Sequence, residues 1–180
     1  MDIINKYVVL DAKKQCQRVV ALAKARPWGA TMPWHNMYIA GGFIASHLQL
    51  TQPKDIDFYF EEEDSMNQAV AELLKHQSDI KEVDPQYREI IGRDGKMITE
   101  WAITMTGGFS FVTKHFGEPK ELKKTFDYLH CCAHYDIGTD QLFISEAQYV
   151  AIVNKKLVVN NPDTFTNARE QKFLIRGYTK

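Results

Sequence analysis

Two aspartates, Asp55 and Asp57, lie in residues 54–60, where polar and apolar side chains alternate as they do along a β-strand. Because residues two apart on a strand project from the same face, their carboxylates are expected side by side, while Ile56 and Phe58 turn into a core. Carboxylates held this close repel each other unless a cation lies between them. Mg²⁺ is the natural cation, since it takes oxygen ligands and often binds through one or two carboxylates together with phosphates.

A third carboxylate is expected at Asp127. We predict a strand over residues 126–134, in which Asp127 is a lone acid among apolar residues. Such a residue is costly to bury unless it is paired or binds a metal, so we expect it to converge with the aspartate pair. One alternative is that Asp127 is a solvated residue at a strand end. Another is that the third acid is Glu100, which lies in another predicted strand.

An anion site is expected directly before the aspartate pair. The apolar residues 38–40 end at Gly41-Gly42, and residues 43–50 have the apolar pattern of a helix. Adjacent glycines permit a turn with positive φ and let backbone N–H groups approach a ligand closely. A helix that begins there points its amides and the positive end of its dipole at an anion. Ser46 and Lys54 are further candidates for contact with a phosphate.

The order of these motifs resembles the nucleotidyltransferase superfamily, which includes polymerase β and the CCA-adding enzymes. The matching pieces are Ala40-Gly41-Gly42, Asp55-Ile56-Asp57-Phe58 and Phe126-Asp127-Tyr128, within about residues 35–135. The layout is also similar to small nucleotidyltransferase-like proteins of tailed bacteriophages. The arginine-aspartate pair that usually follows the glycines in CCA-adding enzymes is missing here, because residues 43–46 carry no charge. This departure argues against a tRNA-specific function.

The resemblance implies metal-dependent transfer of a nucleoside monophosphate from an NTP to an acceptor hydroxyl. Gly41 and Gly42 would hold the β- and γ-phosphates, with Ser46 and Lys54 as weaker phosphate contacts. The catalytic and metal-binding residues would be the same three, holding Mg²⁺ or Mn²⁺: Asp55, Asp57 and Asp127. Asp127 would also help to deprotonate the attacking hydroxyl.

Several functional alternatives stay open at this point. The acceptor can be an RNA end, a protein side chain or a small molecule. A catalytically inactive module of the same fold, which binds nucleotide or a host or viral protein, is the main rival. A structural virion protein is a third possibility, which depends on the bacteriophage resemblance alone.

Composition predicts one ordinary globular domain over residues 1–180. The net charge is −1, so there is no overall electrostatic attraction to nucleic acid. Three cysteines do not make a disulfide framework and favour a reducing compartment. Neither an apolar run long enough to span a membrane nor a signal-peptide pattern is present. We therefore expect no membrane contact and a cytoplasmic location, which would be the host cytoplasm for a viral protein.

The expected fold is α/β (α+β), with a mixed, largely antiparallel sheet, flanking helices and a C-terminal helical extension over about residues 145–178. Beyond the motifs, we predict helices over residues 11–26, 65–76, 118–125, 145–154 and 163–176, and strands over residues 87–92, 96–105, 109–113 and 156–159. A hairpin turn is expected at residues 93–95. The acidic residues 61–64 are expected to favour the start of the second helix, with metal binding as the alternative.

A basic stripe is predicted on the last helix, where Arg169, Lys172 and Arg176 share one face. The stripe is either solvated or contacts a phosphate or nucleic acid, and we expect it to face the aspartates.

Three donor side chains, His130, Cys132 and His134, alternate onto one face of the predicted strand and offer nitrogen and sulfur to zinc. No fourth ligand is evident, which favours buried core residues instead. Trp28 and Trp34 are expected to pack the first helix onto the sheet, with base stacking as the alternative.

Overall fold

The protein is described by a computed structural model that covers residues 4–82 and 96–180, in which six strands form one mixed sheet. The strands are β1 (Met37–Ala40), β2 (Ile56–Phe60), β3 (Ala102–Met105), β4 (Phe109–Val112), β5 (His134–Asp136) and β6 (Gln141–Phe143). Their order across the sheet is β3-β4-β2-β1-β5-β6. Only the β2–β4 pair is parallel, so the predicted α/β class with a largely antiparallel sheet is confirmed.

Helices flank this sheet and largely follow the predicted positions. They are α1 (Lys6–Lys24), α2 (Gly42–Leu48), α3 (Glu63–Lys75), α4 (Pro119–Leu122), α5 (Glu146–Val153) and α6 (Asn167–Ile175). The first helix begins before the predicted residue 11, because the Asn5 side chain caps it by accepting the backbone N–H groups of Tyr7 and Val8. In the described ranges, no helix is both long and apolar enough to cross a membrane.

The alternation along β2 gives the sheet two different faces. Ile56, Phe58 and Phe60 pack into the main hydrophobic core. Asp57 and Tyr59 point to the opposite face, where Tyr59 packs with Tyr38, Ala40 and Leu122 in a small second cluster. The polar side chain of Asp57 is thus kept out of the core by strand geometry alone.

The two tryptophans belong to the main core. Trp28 is 1% exposed and meets Phe109 and Phe111 edge-on, and Trp34 donates its indole N–H to the Gly29 carbonyl. Packing of the first helix onto the sheet, rather than base stacking, therefore accounts for both residues.

The predicted strand over residues 126–134 is wrong. Tyr128 makes one isolated bridge with Val159, Leu129–Cys131 form a short 3₁₀ turn, and a strand begins only at His134. The segment instead packs against α6, since Tyr128 and Cys131 form a hydrophobic cluster with Phe173 and Tyr178. A compact turn buried on both sides gives the same alternating pattern as a strand, which explains the error.

Other predicted strands are reduced or lie outside the described residues. The region before β3 makes only isolated bridges, among them Ile98 with Ile103, and residues 156–159 likewise make only bridges. The predicted strand at 87–92 and the hairpin turn at 93–95 lie in the part that the structure does not describe.

Candidate functional site

A cavity of about 400 Å³ opens on the polar face of the sheet, on the side away from the main core. It is enclosed by the Gly-Gly turn and α2, by the residues before and within β2, by the 126–131 segment, and by α6. Its size lies within the range of small-molecule sites.

The Gly-Gly turn supplies one wall of this cavity. Gly41 has φ 85° and ψ −143°, a conformation that a residue with a side chain rarely adopts. A Cβ atom there would lie 3.8 Å from Asp57 Oδ2, while one at Gly42 would meet nothing within 4 Å. The Gly41 N–H, however, donates to the Cys131 carbonyl at 3.2 Å, so it is already engaged and does not face a phosphate as expected. Gly42 is the residue of the pair that is open to a ligand.

Asp55 and Asp57 both line the cavity. Burial, and next the charge of Asp55, raise the pKa of Asp57 to about 6. The Lys172 ammonium, a hydrogen bond from Ser110 and the Arg169 guanidinium act in the opposite direction. Burial and mutual repulsion oppose ionisation of this carboxylate pair, so a nearby cation would stabilise its ionised form.

Asp127 does not line the cavity with Asp55 and Asp57. Its buried carboxylate, 5% exposed, accepts two hydrogen bonds from Arg169, at 2.8 Å from Nε to Oδ2 and at 3.1 Å from Nη2 to Oδ1. The backbone N–H of Tyr128 donates to the same Oδ1 at 3.0 Å. The expected convergence of three aspartates is therefore corrected here: the Asp127 carboxylate binds a guanidinium, because α6 brings Arg169 against it.

No group of three or more His, Cys, Asp or Glu side chains within residues 4–82 and 96–180 is placed to hold a metal ion. The alternative third acid, Glu100, is exposed and does not line the cavity. Asp55 and Asp57 still offer two hard oxygen donors of the kind that Mg²⁺ or Mn²⁺ takes when phosphates complete its coordination. These two side chains could therefore serve as ligands to one such ion, without Asp127.

The basic stripe of α6 faces the cavity, as predicted. Arg169, Lys172 and Arg176 all line it, and the charges of the first two reach Asp57. The pKa of Lys172 is lowered by partial burial and then by Arg169 and Arg176. Positive charge is therefore concentrated on the wall across from the carboxylates.

Two further residues predicted to contact a phosphate also lie at the cavity. Ser46 on α2 and Lys54 before β2 both line the cavity. Gly108, with φ 79°, lets the neighbouring turn approach this segment, since a Cβ there would lie 3.4 Å from the Lys54 carbonyl oxygen. Its own carbonyl accepts the Ile56 N–H at 2.9 Å, which fixes the start of β2.

Sequence reasoning missed the aromatic lining. Tyr59, Phe126, Phe173 and Tyr178 contribute to the walls, flat surfaces of a kind on which a nucleobase can stack. His130 lies among them, 1% exposed, and both its ring nitrogens are without a hydrogen-bond partner in the described part of the chain. Burial lowers its pKa to about 4, so the ring is neutral near pH 7.

His130, Cys132 and His134 are all buried, but they do not share a site. The Cys132 thiol donates to the Tyr128 carbonyl, and His134 stacks on Phe143 with ring centroids 4.8 Å apart. Of the three, His130 alone lines the cavity. The acidic residues 61–64 do not line the cavity. Glu63 and Asp64 lie in the first turn of α3, as expected.

A family model described as Gabija anti-defense 2 family protein matches residues 11–167 of this chain. No curated protein matches this chain.

Solved structures of CCA-adding enzymes share the fold. The enzyme of Bacillus stearothermophilus in complex with CTP is 12% identical with a TM-score of 0.52, over 89% of this chain and 37% of that one. The Thermotoga maritima enzyme complexed with tRNA is 16% identical with a TM-score of 0.52, over 95% and 38%. An apo CCA-adding enzyme is 16% identical with a TM-score of 0.55, over 95% and 39%. The chain thus spans less than two fifths of these enzymes, and the likeness shows a nucleotidyltransferase fold.

Proposed function

This chain belongs to the Gabija anti-defense 2 family, and we propose that it is a nucleotidyltransferase that acts against the defence named in that description. It would bind an NTP in the cavity and transfer the nucleoside monophosphate to an acceptor hydroxyl, in the cytoplasm of a host cell if the chain is viral. The observation that carries this proposal is the Asp55–Asp57 pair, held between the Gly-Gly turn and a basic helix. CTP and tRNA in the structural neighbours are consistent with an NTP here, and the acceptor stays open.

Asp55 and Asp57 would hold Mg²⁺ or Mn²⁺, and a bound ion there would neutralise phosphate charge during an in-line displacement. Gly42, Ser46 and Lys54 would contact the phosphates from the side of α2 and β2. Asp57 is mostly ionised above its pKa of about 6 and so carries its charge near neutral pH. Asp127 would act indirectly, by holding the Arg169 guanidinium at the cavity wall.

A second candidate is nucleotide binding without transfer. It is favoured by the Asp127–Arg169 pair, which leaves two carboxylates rather than three in the cavity. A chain of this kind would counter the defence by binding or withholding a nucleotide, or by presenting its surface to a protein.

The test separates the two candidates. The protein is incubated with each α-labelled NTP, with Mg²⁺ or Mn²⁺, and with a bacterial lysate, and transfer of label to protein, RNA or small molecules is measured. NTP binding by the purified protein is measured separately by titration calorimetry. The test variant is Asp55→Asn/Asp57→Asn. The matched control is Asp64→Asn/Asp163→Asn, which removes the same charge from two exposed residues outside the cavity.

We expect label transfer by the wild type and the control, and none by the test variant. NTP binding by the wild type without label transfer would favour the second candidate. If the wild type shows neither transfer nor NTP binding, both candidates are excluded.

A further inference from the structure

We propose that the basic face of α6 is a polyphosphate-binding wall, which holds the phosphate chain of a nucleotide through protein cations and without a divalent metal. The inference deepens the proposed function, since it concerns the same cavity, but it can fail or succeed separately. We define the basic wall as Arg169, Lys172 and Arg176.

The charges that line the cavity favour a polyanion. Two carboxylates, Asp55 and Asp57, are outnumbered there by cations from three parts of the chain. These cations are the basic wall together with Lys54 and Lys155. The cavity therefore keeps a surplus of positive charge even after Asp55, Asp57 and the Asp127 partner of Arg169 are balanced. A phosphate chain is a chemical group that supplies several negative charges in a row.

Two of the three cations of the basic wall have no acidic partner in the described part of the chain. Within the ranges that the structure describes, no carboxylate lies within ion-pair distance of Lys172 or Arg176, while Arg169 is paired with Asp127. The Arg176 guanidinium lies 6.0 Å above the Phe173 ring. The like charges of the wall disfavour each other: the pKa of Lys172 is lowered first by desolvation and then by the charges of Arg169 and Arg176. An anion placed between them would remove that repulsion.

Arg169 is positioned in advance to receive such an anion. Asp127 binds its Nε and one Nη2 proton, which fixes the plane of the guanidinium and leaves other N–H groups of the fork available to the cavity. A planar guanidinium of this kind binds phosphate with a defined geometry. Because its position is already fixed, less conformational entropy is lost on binding.

The helix that carries the wall is itself anchored. Phe173 is 5% exposed and packs edge-on against Tyr128 and His130, with ring centroids 5.4 and 4.5 Å apart. The Thr166 side chain caps the N-terminus of α6 by accepting the Arg169 N–H. Arg169 and Lys172 therefore stand on an anchored helix, and Arg176 is its C-cap residue. A preorganised binding site requires such anchoring.

Two further observations point to a ligand at this cavity. His130 is buried at its wall with both nitrogens unpartnered, although buried polar groups normally have a partner. Gly42, across from α6, leaves open space where a side chain would stand. The cavity is thus bordered by groups that a nucleotide can contact on both sides of its phosphates.

The inference is tested with tripolyphosphate as the probe, by titration calorimetry in EDTA at low ionic strength. The test variant is Lys172→Gln/Arg176→Gln, which keeps the Arg169–Asp127 pair. The matched control is Lys14→Gln/Lys120→Gln, two exposed lysines away from the cavity with the same total change of charge. Circular dichroism checks that each variant is folded.

We expect the wild type and the control to bind tripolyphosphate without metal, and the test variant to bind at least about tenfold more weakly. The difference should shrink as salt is added, since screening weakens exposed charges. Inorganic phosphate should bind much more weakly than tripolyphosphate.

Three results would overturn the inference: no tripolyphosphate binding by the wild type in EDTA, an equal loss in the control, or equal affinity for phosphate and tripolyphosphate. If label transfer fails while this binding stands, the proposed transfer is excluded and the polyphosphate wall is not. If transfer occurs but the test variant binds like the wild type, the wall is excluded and the transfer is not.

Discussion

Asp57 is ionised at neutral pH in a place that disfavours its charge. Its pKa is raised from 3.8 to about 6, first by burial and then by Asp55. A carboxyl whose folded pKa lies above its unfolded pKa makes the folded state lose stability as the pH rises from about 4 to about 6, because the folded state then holds the proton longer. Above that window the loss is complete and constant.

We predict that Asp57→Asn stabilises the protein at pH 7.5 by about 3 kcal/mol, since an amide has no charge to desolvate. The gain should shrink as the pH falls from 6 to 4, where the wild-type carboxyl becomes protonated. Urea unfolding at pH 7.5 and pH 4.5 measures both effects. Asp163→Asn, at an exposed position, serves as the control and should change stability by less than about 0.5 kcal/mol. A destabilised Asp57→Asn variant at pH 7.5 would contradict the assignment.

The aspartate pair was predictable because its geometry is local. Residues two apart on one strand project from the same face whatever the rest of the chain does. Two adjacent glycines likewise indicate a turn with positive φ, which Gly41 adopts. The partner of Asp127 was not predictable in the same way. Arg169 lies 42 residues further along, and only the tertiary position of α6 decides that it, rather than a metal, meets this carboxylate.

At the scale of elements, α6 is the part of the chain on which both proposals converge. It carries the basic wall, and one aromatic side chain, Phe173, fixes it to the 126–131 segment. The helix has only nine residues, so it depends on this packing more than on intrinsic helix stability.

We predict that Phe173→Ala lowers the free energy of unfolding by about 3 kcal/mol, because the cavity left among Tyr128, His130 and Tyr178 cannot collapse fully. Amide hydrogen exchange in α6 should rise more than in β1 and β2, and tripolyphosphate binding should weaken. Ile175→Ala on the same helix is the control, since Ile175 is 85% exposed. Protection of α6 that is equal in the wild type and Phe173→Ala would show that another contact holds the helix.

Elements with strong local signals were predicted well, and elements set by packing were not. The helix predicted from residue 145 begins at the capping box of Ser145 and Gln148, and the helix predicted from residue 118 begins with Pro119 in its first turn. The residues from Phe126 to Cys131 carry the same alternation as a strand, yet their backbone is used otherwise. The backbone carbonyl of Asp127 accepts the N–H groups of Asn160 and Asn161, and the backbone carbonyl of Cys131 accepts that of Gly41. These distant partners are absent from any local pattern.

For the whole molecule, the sheet separates two tasks. One face is apolar and holds α1 and the main core, while the other is polar or aromatic and forms the floor of the cavity. The first half of the chain supplies the Gly-Gly turn and the carboxylates, and the C-terminal part supplies the cations opposite them. The site is therefore complete only when both ends of the chain are folded together, and conditions that loosen either half should affect ligand binding.

Acid is one such condition, because the buried histidines oppose folding when they protonate. Burial lowers the pKa of both His130 and His134 to about 4, below the unfolded value of 6.5. Between these pH values the unfolded state binds more protons, so stability from each histidine is lost as the pH falls through this window. Asp57 acts in the opposite direction over nearly the same range, but one carboxyl offsets only part of the effect of two imidazoles.

We predict that the wild type loses about 2 kcal/mol of stability between pH 7 and pH 5, with unfolding followed by urea titration at each pH. The variant His130→Phe/His134→Phe keeps the aromatic contacts and has no imidazole that can titrate at these positions. Its free energy of unfolding should therefore rise slightly as the pH falls, because Asp57 becomes protonated. Adding Asp57→Asn to that variant should then remove most of the remaining slope. The same steep loss in the double histidine variant as in the wild type would show that other groups control the acid response.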